Sequence, residues 1–206
     1  MSAAPGIRET LVLADGFRAG PRLRCVSEPA DGSTRGTVLL LPPFAEEMNK
    51  SRRMCAQFAR LLAADGWHVV RLDLFGCGDS AGEFRDADWA GDRLFYLKRA
   101  PEEAPPAEAW ARGEPVEIAG YEVPAGIARG IQAAQMRLAT AGGGRIAWFE
   151  LSARAEAGAS PATRRAVDAF AAAGRAVELQ VLPGAAFWQS TEIVEHEDLL
   201  QASCAA

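Results

Sequence analysis

A serine set between glycines, Gly78-Asp-Ser-Ala-Gly82, matches G-x-S-x-G, the pattern that presents a nucleophilic hydroxyl on a sharp strand-to-helix turn. Such a hydroxyl needs a base, and the chain has two histidines, His68 and His196. His196 follows Ser80, so the chain order serine, acid, histidine is formally available. Two features work against it. Phe75-Gly-Cys77 separates the end of the preceding strand from the pentapeptide, and the next helix begins only near Asp86. A turn serine bonding nearby backbone is the plainer reading of Ser80. His196 stands in an acid-rich helix with Glu192, Glu195, Glu197 and Asp198, and carboxylate neighbours favour imidazolium over the neutral base. His68 begins a buried strand and reads as structural.

A second concentration of polar groups lies in Phe44-Ala-Glu-Glu-Met-Asn-Lys-Ser-Arg-Arg53. Glu46, Glu47, Asn49, Lys50, Arg52 and Arg53 form either a solvated helix start with internal ion pairs or a ligand site. The spacing contains no Walker loop and no zinc-ligand pattern, so neither a metal nor a cofactor is expected. Cys25, Cys55, Cys77 and Cys204 form no C-x-x-C pair and read as free thiols in a reducing compartment.

These groups must be positioned by an alternation of strands and helices. Glu9 to Leu13 and Leu23 to Ser27 read as strands joined by the turn Asp15 to Pro21. The apolar run Thr37 to Leu41, ended by Pro42-Pro43, reads as a strand buried on both faces. Met54 to Ala64 reads as a helix with Met54, Phe58, Leu61 and Leu62 on one face and Gly66 as its left-handed cap. His68 to Leu74 is the next strand, and strand-helix-strand implies a right-handed crossover in a parallel sheet. Further helices are expected over 86–98 and 124–138, with a Pro-rich acidic surface loop over 99–115 between them. Arg145 to Leu151 and Val177 to Leu182 are the last strands. A helix from Ser160-Pro161 to Ala173 lies between them, and a final helix runs from Glu192 to Ala202.

Arg71-Leu-Asp-Leu-Phe-Gly-Cys-Gly-Asp-Ser80 resembles the D-x-x-G-x-G-x-S loop after the fourth strand of α/β-hydrolases. Pro42-Pro-Phe-Ala-Glu-Glu-Met-Asn-Lys-Ser-Arg-Arg53 resembles the exosortase A system-associated hydrolases. Gly113-Glu-Pro-Val-Glu-Ile-Ala-Gly-Tyr121 and Pro183-Gly-Ala-Ala-Phe-Trp-Gln-Ser-Thr-Glu-Ile193 look like the second type of that family. The resemblance implies one α/β-hydrolase-like domain over 1–206, a mostly parallel sheet flanked by helices, with 93–138 a cap-like excursion. It also implies that Phe44 and Ala45 offer oxyanion-hole amides, that Glu156 is the acid near the usual position, and that Phe187 and Trp188 stand where the base should fall. The likeness breaks between Asp92 and Arg93. The segment holding the nucleophile elbow and two central strands, roughly 50–70 residues from ordinary element lengths, has no counterpart. Loss of central strands exposes sheet edges, so self-association is expected.

The whole chain sets the remaining bounds. At 206 residues and 49% apolar it can bury a core, and a net charge of −5 gives no footprint for nucleic acid. No run of eighteen apolar residues marks a membrane span, and the N-terminus lacks signal-peptide character, so a cytoplasmic location is expected. The resemblance implies an ester or thioester hydrolase of the exosortase/exopolysaccharide system acting on a small ester or acyl substrate. The rival is a non-catalytic binding or accessory protein on a degenerate hydrolase scaffold.

Overall fold

The computed structural model describes residues 6–17, 20–43, 45–86, 105–118, 121–133, 144–154, 158–190 and 192–206. Strands β1 (Ile7–Ala14), β2 (Arg22–Pro29), β3 (Thr37–Leu40) and β4 (His68–Leu72) form a four-stranded sheet in the order β1-β2-β4-β3. β3 and β4 run parallel, with Thr37 opposite His68 and Leu40 opposite Arg71. Helix α1 (Ala45–Ala64) makes the crossover between them. Its apolar stripe buries Ala59 and Leu62 against Val69, with Val38, Leu40, Phe58 and Trp67 around them. Gly66 takes φ +92° and the Trp67 N–H returns to the Leu62 carbonyl at 3.0 Å, which closes the helix in the left-handed manner that glycine permits.

Three expectations change here. The helix expected from Met54 begins at Ala45, because Pro42-Pro43 stops the strand and the following residues are good helix formers. Leu61 is exposed rather than part of the apolar face. β3 is not buried on both faces. Val38 and Leu40 pack beneath α1, whereas Leu39 is 57% and Leu41 50% exposed, since among the described residues β3 is an edge strand with one face uncovered.

The chain divides into two compact units, the first comprising Met1–Thr10, Val26–Arg71 and Ala139–Ala206, the second Leu11–Cys25 and Leu72–Leu138. In the first, β7 (Ile146–Ser152) and β8 (Val177–Pro183) pair in parallel from Ile146 opposite Val177 to Ser152 opposite Pro183. They form their own two-stranded sheet rather than extending the first. Helix α4 (Pro161–Ala172) links them. The Ser160 hydroxyl accepts the Thr163 N–H at its start, Pro161 is in the first turn, and Gly174 at φ +76° follows its end. Helix α5 (Glu197–Ala205) begins five residues later than the expected Glu192. Met54, Phe187 and Leu200 form a core cluster with Phe58, Leu151, Trp188 and Leu199 packed against it, so α1, the turn after β8 and α5 share one apolar interior.

In the second unit, helix α2 (Pro105–Ala111) replaces the middle of the expected surface loop. Its prolines sit where a helix start tolerates them, and the burial of Trp110 holds the helix in place: the indole N–H donates to the Val123 carbonyl at 3.0 Å and the ring packs with Ala125, Ala128, Val116 and Val123. β5 (Val116–Ile118) and β6 (Tyr121–Val123) form an antiparallel pair, followed by α3 (Ala125–Ala133). The expected helix over 86–98 and the Asp92–Arg93 join lie outside the described residues, apart from a 3-10 turn at Phe84–Asp86.

Candidate functional site

Ser80 belongs to the loop Asp73–Gly82, which is wound tightly at the carboxyl end of β4. Its hydroxyl donates to the Asp73 carbonyl at 2.7 Å and accepts the Leu23 N–H at 2.9 Å. The Ala81 N–H reaches the Pro21 carbonyl, the Gly76 N–H reaches the Ala81 carbonyl, and the Asp79 N–H points at the Asp73 carboxylate. Gly76 is at φ +66°, where an added Cβ would meet the Glu83 and Phe84 backbone at 2.6 Å. Phe75 lies across Gly82, and the guanidinium of buried Arg22 sits 4.9 Å from its ring and 5.6 Å from that of Phe17. This is a stapled turn with the serine hydroxyl as a staple. The 3-10 turn that follows is not a helix on which the serine is raised.

His196 is buried and serves as the N-cap of α5, not as a member of that helix. Nδ1 accepts the Leu199 N–H at 3.2 Å, and Nε2 lies 2.9 Å from the Pro183 carbonyl. The Nε2–H tautomer satisfies both contacts, and then neither nitrogen is free to take a proton from a serine. The backbone N–H of His196 points at the Met54 sulfur at 3.2 Å, and Gly184 gives the ring room: a Cβ there would fall 2.0 Å from Nε2. Glu156 and Phe44 lie outside the described residues. His68 is half-buried, with Nε2 3.6 Å from the Glu28 carboxylate, which also takes a two-pronged bond from Arg8. Phe187 and Trp188 stack edge-on at 4.9 Å in the core turn after β8.

The segment from Ala45 to Arg53 forms the first turns of α1. Ala45 and Glu46 open the helix, Glu47, Asn49 and Arg53 are exposed, and Lys50 and Arg52 are half-buried. Ser51, buried on the same helix, donates back to the Glu47 carbonyl at 2.6 Å. The ion pair of Arg53 leaves the segment and goes to Glu195, which also accepts the Gln57 amide at 2.8 Å. The Gln57 bond first, and then Arg53, hold the Glu195 carboxyl below the usual glutamate range. Cys55 faces the opposite way chemically. Burial raises its thiol pKa despite the positive charge of Arg71 and Arg52, so it is not a thiolate nucleophile at neutral pH.

No family model matches the chain, and no curated protein matches its sequence. Its structure is similar to that of Est1E from Butyrivibrio proteoclasticus with ferulic acid bound, at a TM-score of 0.55 and 13% identity, covering 90% of this chain and 93% of that one. This chain has an α/β-hydrolase-like fold. At that identity the likeness speaks to architecture alone, and the chemistry rests on the residues above. Among the described residues, no helix is long and apolar enough to cross a membrane.

The organising roles of two carboxylates escaped the sequence reading. Both oxygens of Glu150 on β7 accept the Ser160 N–H, at 3.1 and 3.0 Å, which anchors the start of α4 to the strand before it. An acid inside an otherwise apolar strand that precedes a Ser-Pro helix start was the available signal. Glu195 carried none, because its partners on α1 are 138 and more residues away in sequence.

Proposed function

We propose that this protein belongs to the exosortase/exopolysaccharide system and is by class an ester or thioester hydrolase acting on a small acyl substrate in the cytoplasm. The α/β-hydrolase-like architecture shared with an esterase is the observation that carries this reading. The three motif stretches at 42–53, 113–121 and 183–193 supply the narrower assignment. In this reading 1–206 is one hydrolase-like domain with 93–138 as its cap, and the polar side of α1 binds the substrate. Among the described residues β3 is an edge strand with Leu39 and Leu41 exposed, which supports self-association.

A second reading, a non-catalytic binding or accessory protein, is favoured by one specific observation. The Ser80 hydroxyl and both ring nitrogens of His196 are committed to backbone partners. Hydrolysis of short p-nitrophenyl esters separates the readings. Turnover by the purified chain that disappears in Ser80→Ala or His196→Ala supports hydrolysis through those residues. Absence of turnover in a folded chain rejects the enzyme and leaves the binding protein.

A further inference from the structure

The segment after β8 crosses the flank of α1 as a strap whose fastening is polar. Ser190 ties one end: its hydroxyl lies 2.8 Å from the Phe187 carbonyl and 2.6 Å from the Glu192 carbonyl and shares its single proton between them. His196 ties the other end through Met54, Pro183 and Leu199. Between them Ile193 is 67% and Val194 37% exposed, so apolar packing does not hold the middle of the strap down. Between those two ties its hold on α1 is the Glu195 carboxylate, seated on Arg53 and Gln57, which are one helical turn apart on the same face. Arg53 and Glu195 are 60% and 40% exposed as side chains, so this pair is weak and exchangeable. The Gln57 amide oxygen, by contrast, is buried without a hydrogen-bond partner among the described residues. A satisfied seat would bring it a donor, and a carboxylate cannot supply one.

We propose that Glu195 is an internal stand-in for a ligand anion, seated on Arg53 and Gln57 and displaced when a small acyl compound carrying a carboxylate beside a hydroxyl binds there. The ligand carboxylate takes the guanidinium, its hydroxyl donates to the Gln57 oxygen, and the strap is released. This rests on the reading of the α1 polar side as the binding site.

The test titrates L-lactate, and acetate as the anion without the hydroxyl, into the full chain and into Glu195→Gln and Arg53→Gln/Glu195→Gln, following the Arg53 side-chain NMR signal and overall chemical-shift changes. Glu195→Gln should bind lactate about threefold to fivefold more tightly than the parent, the scale of one exposed ion pair. It should prefer lactate to acetate and lose both in the double variant. Equal lactate affinity in parent and Glu195→Gln, lost with Arg53, overturns the stand-in while the α1 site survives. No binding in either overturns the α1 site itself. Equal affinity for lactate and acetate overturns the part assigned to Gln57. In the unmutated chain lactate should also speed cleavage at Glu192 and Glu195 by a glutamate-specific protease, and an unchanged rate overturns strap release independently of any variant's folding.

Discussion

Two polar side chains follow the carboxyl ends of parallel strands, Ser80 after β4 and His196 after β8, and both turn their hydrogen-bonding capacity onto backbone. They differ in reach. Ser80 closes a turn on itself, bonding a carbonyl seven residues back and one N–H of β2. His196 joins three elements: the end of β8 through Pro183, the start of α5 through Leu199, and α1 through Met54. The first arrangement organises a loop and the second organises a core, because Met54 and Leu200 lie in the cluster that His196 borders. The same residue types that suggest a catalytic pair thus have structural employment of unequal weight.

The sharpest way to break this comparison is to take away the room for the His196 ring. In Gly184→Ala the new Cβ would fall 2.0 Å from Nε2 at a backbone φ of +152°, so the imidazole must leave the Pro183 carbonyl and the cap. Loss of a cap together with repacking beside the core should destabilise the chain by about 2–4 kcal/mol. Urea unfolding measures it, and a loss near zero would mean that His196 borders the core without holding it. Ser80→Ala should do less, about 1–2 kcal/mol, by leaving the part-buried Leu23 N–H without its acceptor. Since its partners are confined to one turn, hydrogen exchange should quicken at 73–82 and at 22 and 23 while α5 stays protected. Exchange spreading into α5 would erase the distinction between the two residues.

How much of this was legible beforehand follows the same division. The glycines of Gly76-Cys-Gly78 announce a turn from local sequence, and Gly66 and Ser160-Pro161 mark helix ends whose chemistry is complete within a few residues. The βαβ unit was legible because Met54, Phe58 and Leu62 repeat at helical spacing between two apolar runs. What failed was non-local. The exposure of Leu39 and Leu41 depends on what covers the face of the sheet away from α1, and the helicity of 105–111 depends on a pocket for Trp110 made by Val116, Val123, Ala125 and Ala128. The acids around His196 suggested a charged helix, whereas its actual partners are a carbonyl, an amide and a sulfur from three separate elements.

The smallest expected effect tests whether the post-β8 segment reaches α1 through charge as well as through the His196 contacts. Hydrogen bonding from Gln57 lowers the Glu195 pKa, burial opposes it, and the charge and hydrogen bond of Arg53 lower it further. A carboxyl whose folded pKa is depressed contributes stability that is fully present above its unfolded value, about 4.3 for glutamate, and that fades as pH falls through the lower folded value. The contribution is therefore complete at neutral pH and disappears only in acid. Because Glu195 is exposed, solvent screens the pair and the effect on global stability should be close to nothing. The titration itself should still be visible. Carboxyl carbon shifts of Glu195 should report a midpoint below that of glutamate in a model peptide. Gln57→Ala should return most of the difference and Arg53→Gln a smaller part. A Glu195 midpoint already at the peptide value, unmoved by Gln57→Ala, would show that the segment is carried to α1 by His196 alone, and the contrast with the self-contained Ser80 turn would then rest on that one residue.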